Sequence, residues 1–466
     1  MDLSGRCVAE ELGRSKFRDR RLSCRLQGLA ERLVANPSLS FPKALVDDAE
    51  LEGAYRFFGN PLVTPELILS GHFDGTRERC CKEDTVLVVH DSTTISFRED
   101  GRRRGLGRLQ TSNQTFFAHV ALALADDSTH RPLGIAGIAT WVRRDDDKAS
   151  EYERWGQMVH EVEARHAPAK IIHVMDREAD DYPLFSQLVE AGQRFVIRST
   201  HNRLLADHLV GYEKLGEVLA NLEIVVERDA KLSGRKAAEA PGKKAIHPPR
   251  APRTAKLSIG AETVSLKRPK PHPRDTEEKR RKVLPPSLSV NVVRVWESDP
   301  PDGQPAIEWV LLTTEPIECA EDVLRIVDRY RARWTIEEYF KALKTGCIYE
   351  ERQLGDYESL VNALAVFAPI ACSLLAMRSE ARRSPDAPAD SVLTALQLEV
   401  LQALGRKPLP PVPTARDVLL AVAALGGHIK YSGDPGWLTL GRGYSELLVL
   451  TRGWEAAKLQ LARDQR

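Results

Sequence analysis

The chain is 466 residues long, more than one hydrophobic core usually serves, so roughly two to four domains are expected. Hydrophobic residues at 42% and charged residues at 29% exclude a disordered or membrane-embedded chain. With 67 Lys and Arg against 66 Asp and Glu, attraction to a polyanion has to come from local clustering.

The chain begins MDLSGRCVAEELGRSK, with early acids and no apolar run, so neither a secretory signal nor a transit peptide is expected. The seven cysteines are scattered and never form a Cys-x-x-Cys pair, which argues against a disulfide framework or zinc ribbon and fits a reducing cytoplasm. Residues 12–33 hold seven Lys and Arg against Asp19 and Glu31, with Leu22, Leu26, Leu29 and Leu33 at helical spacing. That pattern predicts a basic amphipathic helix. Two more short helices follow in PSLSFPKALVDDAELEGAYRFFGNP, stopped by Gly59, Asn60 and Pro61. Together they make a helical module over residues 1–70.

From Thr85 the pattern changes to short β-branched runs. TVLVVH (85–90), HVALALA (119–125), IIHVM (171–175) and FVIRS (195–199) have strand lengths, and ASEYERWGQMVHEVEARH is a helix among them. This alternation predicts an α/β core with a mixed sheet over residues 71–378. Residues 241–290 contain 13 Lys and Arg, 4 Asp and Glu and nine prolines, which no packed helix tolerates. Around them AKLSIG, ETVSLK and LSVNVVRVWE predict β-hairpins, so the core carries a β-rich insertion at about 205–305 with a basic, proline-rich loop. WVLLTTE (309–315) resumes a strand, residues 322–345 form a long helix, and residues 379–466 form a helical C-terminal domain. The longest apolar stretch, 360–377, is broken by Asn362, Pro369 and Ser373, and so predicts a buried helix and no membrane span.

Asp91 and Asp176 each follow an apolar strand, at the sheet edge where ligands gather in α/β proteins. Two carboxylates there repel unless a divalent cation neutralises them. The plain alternative is that each caps the next turn. On the helix VDRYRARWTIEEYFKALKTG, Tyr330, Arg333, Glu337, Lys341 and Lys344 fall within one stripe roughly 80° wide, at about 100° per residue. Glu338 lies outside it, so Glu337 is the inward candidate; a charged surface helix is the competing reading. Three carboxylates beside a cationic stripe suit in-line attack at phosphorus, with two Mg²⁺ or Mn²⁺ ions about 3.5–4 Å apart.

These residues carry a family resemblance. The chain resembles the bacterial cut-and-paste DDE transposases of the transposon-five and insertion-sequence-four type, through DREAD at 176–180 and the Y-x2-R-x3-E-x6-K spacing of Tyr330, Arg333, Glu337 and Lys344. HDSTT around Asp91, EGAYRFFGNP, RFVIRS and EWVLLTTEP match in order along nearly the whole chain. The resemblance implies an RNase H-like catalytic core with Asp91, Asp176 and Glu337 as ligands of two Mg²⁺ ions, which Mn²⁺ can replace. It implies DNA contacts by Tyr330, Arg333 and Lys344, further phosphate contacts by Arg198 and Lys341, and base stacking on Trp309 during formation of a hairpin intermediate. Arg21, Arg25 and Arg56 are candidates for recognising the end sequence, with solvated surface charge as the alternative. The implied partners are inverted-repeat ends, target DNA and a second copy of the chain, joined through the C-terminal helices, in a bacterial cytoplasm and associated with the nucleoid.

Other signals are weaker. The histidines of HEVEARH are six apart and cannot share a metal as an i, i+4 pair does. GLG at 105–107 lacks a preceding strand and the remaining glycine of a dinucleotide fingerprint, so GRRRGLGRL is a basic loop near DNA or a solvated turn. His90 points away from Asp91 by strand alternation and reads as a structural residue. Two other functions stay open: a DNA-binding repressor that has lost catalysis, and a stand-alone metal-dependent nuclease.

Overall fold

The computed structural model of the chain describes residues 5–98, 103–109, 112–143, 151–206, 211–232, 234, 251–270, 283–304, 306–429 and 434–464. The helical beginning comprises α1 (Gly5–Gly13), α2 (Arg20–Ala35), α3 (Phe41–Ala44), α4 (Asp48–Phe58) and α5 (Pro65–Cys80). Strands β1 (Val86–Ser96), β2 (Gly107–Leu109), β3 (Ser112–Ala125) and β4 (Pro132–Trp141) follow, then α6 (Glu151–His166), β5 (Ile171–Met175), α7 (Tyr182–Glu190), β6 (Arg194–Ser199) and α8 (Leu215–Ala220). Next come β7 (Val226–Leu232), β8 (Arg253–Lys267), β9 (Ser287–Glu297), β10 (Glu308–Thr313), α9 (Ala320–Ala332) and α10 (Trp334–Lys341). The chain closes with α11 (Tyr357–Arg383), α12 (Ala395–Leu404), α13 (Ala415–Leu425) and α14 (Trp437–Asp464). It splits into two compact units, the first of Met1–Lys148, His160–Lys170 and Trp334–Arg466, the second of Ala149–Val159 and Ile171–Arg333.

In the first unit, the basic helix starts later than its charge pattern predicts. Asp19 caps α2 by accepting the Arg21 N–H at 2.9 Å, and residues 14–19 stay outside the helix. Leu26, Leu29 and Leu33 are its buried stripe. Helix α4 is capped by Asp47 and buries Phe57 and Phe58. Helix α5, which sequence periodicity does not announce, is capped by Thr64 with Pro65 in its first turn. Gly71 on α5 faces the backbone of α1 so closely that a Cβ there would collide with the Glu11 carbonyl. That approach brings the Glu11 carboxylate to His72 Nδ1 at 2.6 Å and to the Arg79 guanidinium, all three buried. Burial raises the Glu11 pKa, but the His72 and Arg79 hydrogen bonds and charges outweigh it and bring it down to about 2.

Strand β3 pairs antiparallel with β1, β2 and β4 in this unit. Helix α11 is buried through its apolar stretch as expected, capped by Asp356, with Pro369 inside it. Among the described residues it is the one helix long and apolar enough to cross a membrane, and 94% of that window is buried in the protein. Asn362 on α11 donates to the Phe58 and Val63 carbonyls at 2.9 and 3.0 Å, fastening the α4–α5 corner to it.

The second unit is mixed α/β, with strand order β5-β6-β10-β9-β8-β7. Strands β5 and β6 are parallel, and β6, β10, β9, β8 and β7 run antiparallel in succession. Its core packs Trp155, Phe185, Leu188, Phe195, Ile197 and Leu312, with Phe185 and Phe195 stacked at 5.9 Å. The segments AKLSIG and ETVSLK do not form a hairpin: they are one 15-residue strand, β8, because both ends pair with β9 from Leu257–Glu297 to Lys267–Ser287. Strands β9, β8 and β7 therefore continue the sheet outward from β10. Of the basic loop, residues 241–250 and 271–282 lie outside the described residues.

Candidate active site

Asp91 is not at a strand end. Strand β1 runs on to Ser96 because the polar HDSTTIS segment keeps pairing with β3, so Asp91 sits in mid-strand opposite Val120. It marks the point where β1 turns from fully buried to half-buried. Its Oδ1 accepts the Ser92 N–H at 2.8 Å. On the other face, His90 Nδ1 lies 3.3 Å from His119 Nε2, and Ser92 Oγ 2.9 Å from His119 Nδ1. Burial pushes His119 down to about 3, so it is neutral at pH 7. His90 is fully buried, on the strand face opposite Asp91.

Asp176 directly follows β5 and is half-buried. Its Oδ1 accepts the Glu178 N–H at 2.8 Å and caps a 3₁₀ turn at Arg177–Ala179. The capping alternative therefore holds for this residue as a contact, through one carboxylate oxygen. A residue that sequence reasoning passed over stands at the far end of the same DREAD string. Asp180 is buried and holds the Arg203 guanidinium at 2.6 Å.

The long helix expected at 322–345 is interrupted. Helix α9 ends at Ala332, where the Arg333 N–H turns back to the Tyr330 carbonyl at 3.1 Å, and α10 begins at Trp334. After Lys341 the chain widens into a π-helical turn, Ala342–Gly346, closed by the Cys347 N–H on the Ala342 carbonyl at 2.8 Å. Lys344 Nζ is drawn onto the Thr94 carbonyl of β1 at 2.6 Å and lies 3.6 Å from Glu350, and Arg352 binds the Cys347 carbonyl. These anchors hold the wider turn, and extra residues per turn end the regular 3.6-residue register on which the single stripe was drawn. Lys341 is exposed and paired with Glu338 at 2.7 Å. Glu338 also receives Arg378 at 2.7 Å and Trp437 Nε1 at 3.1 Å, which commits it to packing. Glu337 is half-buried in the first turn of α10, the helix that packs on β1.

In the second unit, Arg198 and Trp309 lie on the paired strands β6 and β10, and Tyr330 lies on α9. The Trp309 and Tyr330 rings meet edge to face at 5.5 Å. Arg198 donates to the Glu308 carbonyl at 3.3 Å and lies close enough to the Tyr330 phenol to act on its charge. Burial pushes that phenol up, while Arg198 and Arg333 pull against it and the charge of Asp176 adds to the rise. Asp176, Arg198, Trp309, Tyr330 and Arg333 thus share one region of this unit. Asp91, Glu337, Lys341 and Lys344 belong to the other unit. Among the described residues, no group of three or more His, Cys, Asp or Glu stands close enough to hold a metal ion.

The N-terminal arginines divide. Arg20, Arg21, Arg25 and Arg32 line a cavity of about 430 Å³ on the side of α2, with Glu50 at its wall. Arg21 is forked onto Asp19 at 2.8 Å with its side chain 90% exposed. Arg56, exposed on α4 and paired with Glu52 at 2.5 Å, is not part of that lining.

Comparison with known proteins decides the family. A transposase DNA-binding family model matches residues 5–63, and a transposase DDE domain family model matches residues 82–367, more than half of the chain. The chain belongs to the DDE transposases. A cryo-EM structure of a piggyBac transposase synaptic complex with hairpin DNA is similar at 10% identity and a TM-score of 0.31. That match covers 72% of this chain and 56% of that one, so the transposase spans little more than half of the relative's length. The DDE match contains all three candidate acids and implies dependence on a divalent metal. The donor chemistry fits: carboxylate oxygens are the hard ligands that Mg²⁺ and Mn²⁺ take, and Asp91 and Asp176 are each oriented by a backbone N–H on Oδ1.

Proposed function

We propose that this transposase performs cut-and-paste transposition of the transposon-five and insertion-sequence-four type, on an RNase H-like core. It binds the inverted-repeat ends of its element, cleaves them with a hairpin intermediate, and joins them to target DNA as a homodimer. We place it in a bacterial cytoplasm, on the nucleoid. The observation that carries this reading is the gathering of Asp176, Arg198, Trp309, Tyr330 and Arg333 in one unit, within the residues that match the DDE domain.

Asp91, Asp176 and Glu337 are the proposed metal ligands. Two Mg²⁺ ions, or Mn²⁺ in their place, would supply activation of the attacking oxygen and stabilisation of the leaving one. The other roles fall to the chain itself. Arg333 and Arg198 present guanidinium forks suited to phosphate oxygens. Tyr330 offers a phenol beside Arg198. Trp309 presents a ring on which an unstacked base can rest, offsetting the few kcal/mol of unstacking. Lys341 and Lys344 supply further cations, and the arginines lining the α2 cavity, with Arg56, serve end recognition. The C-terminal helices serve dimerisation.

The test is cleavage of DNA bearing the terminal inverted repeats, with Mg²⁺ or Mn²⁺, by the wild type and by Asp91→Ala, Asp176→Ala and Glu337→Ala. Loss in all three variants, with wild-type ends joined into a target plasmid, is expected. Near-normal cleavage by any one variant removes that acid from the triad. Cutting without joining indicates a nuclease, and binding without cutting a repressor.

A further inference from the structure

We infer that Asp180 is a positioning residue, which fixes the spacing between the Asp176 carboxylate and the Arg198 guanidinium; this rests on the catalytic reading above. Strands β5 and β6 are parallel and end in register at Met175 and Ile197. Asp176 and Arg198 are each the next residue after that pair, so the two functional groups stand side by side, Asp176 just past the end of β5 and Arg198 still within β6, opposite Leu311 of β10. Beyond this point no β5–β6 pairing ties the segment after Asp176 to β6, whose remaining partner is β10.

Asp180 closes the gap. A tight turn carries the chain from Asp176 to Asp180, with Ala179 N–H on the Asp176 carbonyl at 3.2 Å and Asp180 N–H on the Arg177 carbonyl at 3.2 Å. At its end the Asp180 carboxylate is fully buried. Its Oδ2 accepts the Thr200 N–H at 2.6 Å, the His201 N–H at 3.0 Å and the Ser199 hydroxyl at 3.1 Å, all immediately after Arg198. Its Oδ1 accepts Arg203 at 2.6 Å, and the same nitrogen also donates to the Asp180 carbonyl at 2.9 Å. Arg203 in turn lies over the Phe185 ring at 5.2 Å, in the core of this unit. One carboxylate thus joins the segment after Asp176 to the segment after Arg198. Asparagine cannot replace it, since its amide nitrogen would face N–H donors or the guanidinium. Supporting partners of this kind change metal affinity by about 10–100-fold when removed.

The test uses the full chain. Mn²⁺ binding is read from the EPR signal of free Mn²⁺, with thermal melting in parallel and Mn²⁺ titration of end cleavage as a companion. D180N is expected to weaken Mn²⁺ binding about tenfold at a temperature where it remains folded, with the cleavage midpoint moving by the same factor. R203M separates position from charge. Removing a cation tightens Mn²⁺ if the effect is electrostatic, whereas loss of position weakens it about tenfold. R203K, which keeps charge and one donor, should recover most of the affinity and covers the case in which D180N or R203M does not fold. Unchanged Mn²⁺ affinity in a folded D180N or R203M, tighter binding in R203M, or a uniform loss of cleavage with no midpoint shift overturns the inference. D176N is the control: if it keeps wild-type Mn²⁺ affinity and cleavage, the catalytic reading itself fails.

Discussion

Two neighbouring glutamates should fail in opposite ways. Glu338 receives Arg378 at 2.7 Å, with side chains 10% and 33% exposed, as well as Trp437 at 3.1 Å and Lys341 at 2.7 Å. Burial raises its pKa, but these three partners outweigh it and leave it below the ordinary carboxylate range. Glu338→Gln keeps shape and removes charge. The hydrogen bond from Arg378 is worth about 1.5–3 kcal/mol as a charge-assisted contact. The Lys341 pair, with the lysine side chain 57% exposed, adds roughly 0–1 kcal/mol. Since glutamine retains one acceptor oxygen, the net loss is about 2 kcal/mol, or about 3 °C in Tm for a unit of this size. Glu337→Gln should change stability by less than about 1 kcal/mol and lower end cleavage roughly a thousandfold, about 4 kcal/mol in the barrier. The assay is urea unfolding and thermal melting beside Mg²⁺-dependent cleavage, with cleavage measured about 15 °C below each Tm. Cleavage by Glu337→Gln within about tenfold of wild type would refute the assignment. So would a Glu338→Gln protein that is fully folded yet as inactive as Glu337→Gln.

Three further outcomes are expected. Glu11→Gln leaves the buried Arg79 without its counter-charge and should cost about 3–5 kcal/mol in urea unfolding, with Glu11→Leu/Arg79→Met recovering much of it; a loss below about 1 kcal/mol contradicts the role given to the pair. Burial holds the folded His166 pKa down to about 4, below the ordinary 6.5, so stability is complete above pH 6.5 and falls with pH through that window. The loss from this residue is about 2 kcal/mol at pH 5, and a His166→Asn protein with the same pH slope would rule it out. If Arg20, Arg21 and Arg25 bind phosphates, each Ala substitution should reduce the slope of log affinity against log salt by about 0.9 for every phosphate it leaves unbound, measured by fluorescence anisotropy on end DNA; an unchanged slope in the triple variant removes α2 from the interface.

The chemistry of this transposase was legible in one dimension where it depends on residue type and order. The DREAD string, the Tyr330–Arg333–Glu337–Lys344 spacing and the alternation of strands with helices name the candidate acids and the mixed α/β class, because strand period and motif spacing are local properties of the chain. The choice of Glu337 over Glu338 followed from helical geometry, and the structure gives Glu338 other partners. What needed three dimensions were the contacts made by residues far apart in sequence. Asp91 lies inside β1 rather than at its end because β3 supplies hydrogen bonds to a polar segment with little strand propensity of its own. The stripe on one long helix gives way first at Arg333, where α9 ends, and again at a π turn where Lys344 meets the Thr94 carbonyl, 250 residues away. Asp180, silent as the last letter of a motif, acquires its role only when residues 199–203 fold back to meet it. Local propensity decides which elements form; long-range hydrogen bonding and burial decide where they stop and which side chains they commit.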